Sequence, residues 1–278
     1  MDGPDREGPA APTQRTAEGV TVSVMPGAEP FSFDAGPDAP AGVVLCHGFT
    51  GSPQSMRPWG EYLHAAGLSV HGPRLPGHGT RWEDLNLTRW EDWYGELERA
   101  FDGMRQRYDV VVVMGLSMGG ALTLRLAAER GADLAGVVVV NPSLGTLRRD
   151  AQLLPVLCRV LASLPGIASD IKKPGVTELA YDRIPLRAMY SLSRLWRVTC
   201  ADLGRITVPI RLYRSAEDHV VEPLSGELLR AGAGTPVEEV VLTDSYHVAT
   251  LDHDAETIFA GSLEFTRALA PAPVDRPR

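Results

Sequence analysis

One serine of the sequence stands in a setting that suits a nucleophile. Ser117 is at the centre of Gly115-Leu116-Ser117-Met118-Gly119, which matches the pattern G-x-S-x-G. A β-branched run, Val110 to Met114, comes directly before this motif, and a helix-like stretch begins at Ala121. A turn between a strand and a helix is tight enough to require small residues beside the serine. The pattern therefore predicts Ser117 as a nucleophile held at a sharp turn.

A serine hydroxyl becomes a good nucleophile only when a base takes its proton, and histidine is the usual base. His247 follows the last predicted strand, Val240 to Leu242, and for this motif the base comes last in chain order. His253 also lies beyond that strand and is the alternative, although Asp254 after it is typical of the start of a helix. We predict His247 as the base.

The imidazole needs a carboxylate that fixes its tautomer and stabilises its charged form. Asp218 follows the apolar run Ile210 to Tyr213 after a short turn, so it is expected near the end of a strand that precedes His247. Glu217 is the neighbouring alternative, whereas Asp244 is too close to His247 in sequence to come from a separate strand end. We predict Asp218 as the acid.

The negative charge that develops on the substrate oxygen calls for two backbone N–H donors. Met118, directly after the serine, supplies the first, and Phe49 in the loop His47 to Gly51 is the natural second. Cys46 beside His47 could suggest a thiol nucleophile, but neighbours on a strand point to opposite faces. We interpret Cys46 as a small buried thiol and His47 as a residue that orients the loop.

The elements that must position these residues alternate between short β-branched runs and helical patterns. Near-continuous apolar runs suit parallel strands that are covered on both faces. The fold class is therefore α/β, with a mostly parallel central sheet and helices on both faces. The strand candidates are Val43 to Leu45, Leu68 to Val70, Val110 to Met114, Gly136 to Val140, Ile210 to Tyr213 and Val240 to Leu242.

Two helices have recognisable starts. Ser52 before Pro53 suits an N-cap, and Gly67 suits the end of the same helix. Thr88 and Glu91 predict a capping box for a second helix. The apolar residues that follow at helical spacing indicate a buried stripe rather than a ligand site, and they are Trp90, Trp93, Leu97, Phe101 and Met104.

Composition divides the chain into a core and less ordered parts. Residues 1–17 and 271–278 are rich in proline, glycine or charge and are predicted to be tails. The core is predicted at 18–143 and 204–270. Between them, residues 144–203 carry prolines among short apolar runs, which indicates an inserted helical cap over the carboxyl ends of the strands.

Bulk properties narrow the range of functions. The chain has 278 residues, 44% of them hydrophobic, which is enough for one large core. Its formal net charge of -8 disfavours nucleic acid as a partner, since binding phosphates needs clustered lysine and arginine. Three widely spaced cysteines suggest neither a disulfide framework nor a zinc site. With no secretory or membrane-spanning stretch, these features favour a cytoplasmic protein.

Taken together, the motifs resemble the bacterial monoacylglycerol lipases and similar carboxylesterases of the α/β-hydrolase fold. The resemblance covers most of the chain and is weakest in the tails and from Leu144 to about Ala168. The matching segments are His47 to Gly51 with Ser52 and Met56, Leu75 to Thr80, Gly115 to Gly120, Ser169 to Lys172, Glu178 to Tyr181, Glu217 to Val221 and Ser245 to Asp252.

The resemblance implies an enzyme that hydrolyses carboxylic esters, with monoacylglycerols as the expected substrates. It assigns the triad to Ser117, Asp218 and His247 and the oxyanion donors to Phe49 and Met118. It also implies that Glu178 binds the hydroxyls of a glycerol head group, and that apolar residues of cap and core line an acyl tunnel. No cofactor or metal is expected, and the cap is expected to contact lipid surfaces transiently.

Three other functions fit parts of the pattern. A carboxylesterase without glyceride preference would use the same residues, and so would an acyltransferase that passes the acyl group to an alcohol or thiol. A ligand-binding protein without catalysis would usually have lost part of the triad. Dehalogenase chemistry is disfavoured because it calls for aspartate where Ser117 stands.

Overall fold

The β-branched runs form the centre of a seven-stranded sheet. The computed structural model describes residues 13–15, 21–166 and 169–270. Its strands are β1 Thr13–Arg15, β2 Thr21–Ser23, β3 Phe31–Phe33, β4 Gly42–Cys46, β5 Ser69–Gly72, β6 Val111–Leu116, β7 Gly136–Val140, β8 Ser163–Pro165, β9 Arg183–Pro185, β10 Ile210–Ser215 and β11 Val237–Leu242.

Helices connect most of these strands. The α-helices are α1 Arg57–Ala65, α2 Trp82–Leu85, α3 Trp90–Arg105, α4 Met118–Arg130, α5 Leu154–Val160, α6 Leu186–Asp202, α7 Leu224–Gly232 and α8 Ala255–Leu269. Short 3-10 helices lie at Pro53–Met56, Gly131–Asp133, Arg149–Leu153, Leu203–Arg205 and Ala249–Leu251. Within the described ranges, no helix has the length and apolar character needed to cross a membrane.

The sheet order is β11-β10-β7-β6-β4-β5-β3. Every neighbouring pair is parallel except β3 with β5, so the predicted mostly parallel sheet is confirmed. All residues of β4, β6 and β7 are buried, as a sheet covered on both faces requires. Helices α3, α4 and α6 pack on one face, and α1 and α8 pack on the other.

The strand boundaries differ little from the predicted runs, but the structure adds strands that the sequence pattern does not show. Strand β3 forms the antiparallel edge of the sheet. Strands β8 and β9, which come between β7 and β10 in sequence, form a separate antiparallel pair. Strand β1 pairs with β2 and lies within the predicted N-terminal tail, so that prediction does not hold at 13–15. The rest of 1–17 and all of 271–278 lie outside the described residues.

Two predicted helix starts need correction. The capping box of α3 lies one residue later than predicted, because the Asp92 carboxylate rather than that of Glu91 accepts the backbone N–H of Arg89 at 2.8 Å. The Thr88 hydroxyl instead donates to the carbonyl of Leu85. Ser52 precedes a 3-10 turn in extended conformation and makes no side-chain cap bond.

The segment predicted as a cap contains one long helix rather than small helices alone. Helix α6 spans 17 residues, and its residues Ala188, Leu192 and Leu195 belong to the main core beside α4. Helix α5 packs against α6 through Leu154, Cys158 and Leu186. The insertion therefore shares its apolar interior with the helices that pack on the sheet.

Candidate active site

Ser117 occupies a strained turn between β6 and α4. Its backbone has φ 56° and ψ −116°, a conformation that is rare for a residue other than glycine. The N–H of Ser117 donates to the carbonyl of Val140 at 2.9 Å, and its carbonyl accepts the N–H of Ser143 at 3.0 Å. These bonds tie the turn to the end of β7 and hold the serine at the carboxyl edge of the sheet.

Glycines make the turn sterically feasible. A Cβ on Gly119 would lie 2.1 Å from the carbonyl oxygen of Cys46, and a Cβ on Gly115 would lie 2.3 Å from the Gly119 carbonyl group. Both obstacles are backbone atoms, which cannot move aside as a flexible side chain can. Helix α4 therefore approaches β4 and β6 as closely as the serine turn demands.

His247 and Asp218 form a buried pair. The Nδ1 of His247 lies 2.8 Å from Oδ2 of Asp218, and each side chain is 7% exposed. The other carboxylate oxygen of Asp218 accepts the N–H groups of Val220 and Val221, both at 2.8 Å. A carboxylate in this position holds the imidazole with its proton on Nδ1 and leaves Nε2 as the basic nitrogen.

Burial and charge act in opposite directions on this pair. Burial would raise the pKa of the Asp218 carboxyl, but the nearby His247 charge and the hydrogen bonds lower it below its ordinary value. Burial would likewise lower the pKa of His247, yet the Asp218 carboxylate, with Glu178 and Asp170, raises it above 6.5. The pair thus favours an ionised acid beside a base of increased basicity.

The alternative residues lie in other surroundings. Glu217 is 57% exposed and its carboxylate lies 3.4 Å from Nε2 of His219. Asp244 pairs with the ammonium group of Lys172 at 2.9 Å. His253 is exposed, and its backbone N–H donates to Asp252. The carboxylate bonded to the His247 imidazole is that of Asp218.

The loop after β4 lies against the serine. A Cβ on Gly48 would be 3.9 Å from Oγ of Ser117, so the backbone that leads into Phe49 passes close to the hydroxyl. His47 fixes this loop, since its Nδ1 donates to the Gly48 carbonyl at 3.0 Å and its Nε2 accepts the Leu75 N–H at 3.1 Å. Burial lowers the pKa of His47 to about 4, which keeps the ring neutral.

Met118 is the first residue of α4, and the N–H groups at a helix start have no partner within the helix. Its N–H is therefore available beside Ser117. Cys46 is fully buried at the end of β4, and burial raises the pKa of its thiol. A buried thiol of high pKa is a poor nucleophile, as the sequence interpretation expects.

Glu178 comes from the inserted segment and lies close to the loop that contains Phe49 and to His247. Its Oε1 would lie 2.6 Å from a Cβ on Gly51, so the carboxyl group packs directly on the loop that contains Phe49. The residue is half-buried, and burial raises the pKa of its carboxyl to about 7, against the attraction of the His247 charge and a hydrogen bond from Ser55. Glu178 thus faces the imidazole that Asp218 holds.

Two further residues shape the site and were missed in the sequence. Asn141, at φ 43°, donates from Nδ2 to the His247 carbonyl at 2.8 Å, and its Oδ1 accepts the Ser215 N–H at 2.8 Å. The Asn-Pro pair at the end of β7 is a turn signal that could have drawn attention to it. Asp170 accepts the backbone N–H of His247; the resemblance includes its segment, Ser169 to Lys172, but gives no role to Asp170.

An open groove of about 610 Å³ lies within the inserted segment, and the candidate catalytic residues are not part of its lining. Leu144, which follows Ser143, lies at one end, and α6 forms one wall. Within the described part of the chain, no cluster of three or more histidine, cysteine or acidic residues has the arrangement of a metal site. The groove is lined by Leu144, Gly145, Thr146, Leu147, Arg148, Ala151, Gln152, Pro155, Tyr190, Ser193, Trp196, Arg197 and Cys200.

Fold and site together define the class of protein. The sequence profile of the alpha/beta hydrolase family matches residues 43–260, and the chain belongs to this family. The chain is 43% identical over 248 residues to the thermostable monoacylglycerol lipase of Bacillus sp. (strain H-257), covering 87% of this chain and 95% of that one. It is 25% identical over 245 residues to the carboxylesterase of Bacillus subtilis (strain 168), covering 87% and 97%.

Solved structures of similar proteins have the same fold as this chain. A structure from work on LipS and LipT, two metagenome-derived lipolytic enzymes, superposes with a TM-score of 0.84 at 42% identity, covering 88% of this chain and all of that one. The monoacylglycerol lipase of Paleococcus ferrophilus superposes with a TM-score of 0.72 at 21% identity, covering 87% and 98%, and shares the fold. The predicted fold class and family are confirmed.

Proposed function

We propose that this protein is a serine esterase that hydrolyses carboxylic esters, monoacylglycerols foremost, through an acyl-enzyme on Ser117. The observation that carries the proposal is the 2.8 Å bond between His247 and the buried Asp218, at the sheet edge where Ser117 occupies its strained turn. The 43% identical relative is a monoacylglycerol lipase, and this supports the choice of substrate.

In the first half of the reaction, Ser117 attacks the acyl carbon while Nε2 of His247 takes the hydroxyl proton. Asp218 stabilises the resulting imidazolium. The N–H groups of Phe49 and Met118 donate to the developing oxyanion, and one donor of this kind typically changes the rate by about two to three powers of ten. His247 then gives its proton to the departing alcohol, and the acyl group stays on Ser117.

In the second half, a water molecule takes the place of the alcohol. His247 removes one proton from the water, and the oxygen attacks the acyl carbon. The same two N–H groups stabilise the second tetrahedral intermediate. Collapse of this intermediate returns the proton from His247 to Ser117 and releases the fatty acid, so that the balanced reaction is an ester and water to an alcohol and a carboxylic acid.

Substrate selection falls to the inserted segment, 144–203, which we propose as the cap between core parts 18–143 and 204–270. Glu178 is the residue that binds glycerol hydroxyls, because its carboxyl lies between the Gly51 loop and the charge of His247. The groove that starts at Leu144 is the proposed site of the acyl chain, supported by the apolar side chains of Leu147 and Trp196.

The proposal extends to location and to lipid surfaces. A cytoplasmic location is supported by the three cysteines, which are all free. Transient contact of the cap with lipid surfaces is supported by apolar side chains that its outer part leaves in solvent, namely Leu147, Leu153, Val156, Val160, Leu161 and Leu164.

Replacement of the nucleophile tests the proposal. We expect Ser117→Ala to lower kcat for monoacylglycerols and p-nitrophenyl esters by at least about 10⁴-fold, since no acyl-enzyme can form. Ser262→Ala, which changes a buried serine of α8 bonded within its own helix, is the matched control and should retain turnover. A fluorophosphonate probe should label Ser117 in the wild-type protein. Full turnover by Ser117→Ala, or labelling of another serine, contradicts the assignment.

A further inference from the structure

One stretch of the cap crosses the candidate active site and is bonded to the core at both ends. We call residues 169–181 the strap. Near its start, the carbonyl of Asp170 accepts the N–H of Val248 at 3.0 Å. At its end, the N–H of Tyr181 donates to the carbonyl of Thr50 at 3.0 Å. The strap thus connects the loop that carries His247 to the loop that carries Phe49.

The side chain of Asp170 makes three further bonds at the first of these ends. Its Oδ2 accepts the backbone N–H groups of His247 and His219, both at 3.2 Å. Its Oδ1 accepts the ring N–H of His219 at 2.8 Å. The Asp170 side chain is 10% exposed, so this carboxylate is largely removed from water. It therefore joins the residue after Asp218 to the backbone of the base.

The carboxylate of Asp252 also joins the strap to the loop that carries His247, but its bonds are to residues other than His247. The two carboxylate oxygens of Asp252 accept the N–H groups of Lys172 at 2.7 Å and Lys173 at 2.9 Å. The carboxylate also accepts the N–H of Tyr246 at 2.9 Å. Asp252 offers a matched comparison for Asp170, since both are aspartates with little exposed side chain that bind backbone N–H groups across the same junction.

We propose that Asp170 is a positioning residue for the reaction, a cap carboxylate that fixes the backbone of His247 and adds a further negative charge near its imidazole. The inference rests on the proposed role of His247 as the base. Because Asp170 is bonded to the backbone of His247 and Val248, displacement of the strap would displace His247 as well.

The charges around His247 give the direction in which its pKa should change when Asp170 is replaced. Asp218, Glu178 and Asp170 all face His247, and each raises its pKa. Asp170 itself faces the exposed ring of His219, whose other side is close to Glu217. Nearby, Lys172 pairs with Asp244 and lies over the ring of Tyr246. Removal of the Asp170 charge therefore makes the imidazole less basic, because one of its three anionic neighbours is lost.

The test is a titration of the His247 ring by NMR in the wild-type protein and in Asp170→Asn, with the signal assigned by its loss in His247→Asn. We expect the His247 pKa to fall in Asp170→Asn, and the acidic limb of the kcat/KM profile to move to lower pH with it. We expect kcat to fall by about ten- to a hundredfold with KM nearly unchanged, because a shifted base affects the chemical step. Asp252→Asn should lower stability and leave the His247 pKa in place.

Two results would overturn the proposal: an unchanged His247 pKa in folded Asp170→Asn, or an equal shift in Asp252→Asn. Should Asp170→Asn fail to fold, Asp170→Glu decides, since it keeps the charge but displaces the carboxylate. It should retain the raised pKa while kcat falls, and wild-type kcat would refute the positioning role. Because the titration observes the ring itself, its result is independent of the Ser117→Ala experiment that judges the proposed function.

Discussion

At the scale of single residues, Glu178 combines two properties that suit a hydroxyl-binding group. Burial raises the pKa of its carboxyl to about 7, so that near neutral pH both the protonated and the ionised forms are populated. The protonated form donates a hydrogen bond and the ionised form accepts one. Substrate hydroxyls can therefore be bound in either state, and the position against Gly51 puts the group next to the proposed oxyanion loop.

This leads to a prediction about substrate preference. We expect Glu178→Ala to lower kcat/KM for monoacylglycerols by about ten- to a hundredfold, the effect of losing one or two hydrogen bonds to a partly charged group. Alkyl esters of the same acyl length should change much less, because they lack the glycerol hydroxyls. Steady-state rates on the two substrate series measure the difference.

The matched control is Asp182→Ala, which removes an exposed carboxylate of the same cap. It should leave both substrate series unchanged. Glu178→Gln should recover part of the glyceride rate, since an amide also donates and accepts. Equal losses on glycerides and alkyl esters in Glu178→Ala would refute the head-group role and favour a carboxylesterase without glyceride preference.

At the scale of elements, the close approach of α4 to β4 is the feature on which the serine turn depends. We expect Gly119→Ala to lower the free energy of unfolding by about 3 kcal/mol, because its Cβ would lie 2.1 Å from a backbone oxygen. Gly103→Ala in α3 is the control, since a Cβ there meets nothing within 4 Å. It should stabilise the protein by about 0.5–1 kcal/mol through helix propensity. Urea unfolding measures both, and equal midpoints would contradict this packing argument.

The sequence predicts the elements whose signals are local. Strand β6 and the turn at Ser117 are encoded by a β-branched run, three glycines and a following helix, all within a few residues. Strand β3 is only three residues long and is stabilised by pairing with β5, far along the chain. Strands β8 and β9 each contain a proline, which is disfavoured in a strand, and the strap lies between them in sequence.

The same distinction explains what could be predicted of the site. Chain order and strand ends select Asp218 and His247, since the fold of this class dictates where the ends of its strands meet. Asp170 contacts a histidine that is 77 residues away, through a loop whose path depends on the packing of the whole cap. No period or motif near Asp170 encodes that path, so its contact with His247 emerges only in three dimensions.

At the scale of the whole molecule, charge is unevenly divided. The segment 144–203 contains nine lysines and arginines and five acidic residues, a net charge of +4 in a chain of -8, so the remainder carries -12. In the same segment, Leu153, Val156 and Val160 recur at helical spacing and are 59%, 62% and 72% exposed. An exposed apolar stripe in a segment of net positive charge suits an anionic lipid surface.

We therefore expect the protein to bind vesicles of phosphatidylcholine with phosphatidylglycerol more tightly than vesicles of phosphatidylcholine alone, and to lose this preference as salt screens the charges. Val160→Ser should weaken binding about five- to tenfold, since a valine side chain buried in the interface contributes about 1–1.5 kcal/mol. Val241→Ser, a change of an exposed valine on β11 outside the cap, should bind as the wild type does. Co-sedimentation measures all three proteins. Equal weakening by both changes, or binding indifferent to lipid charge, would argue against the cap as the contacting surface.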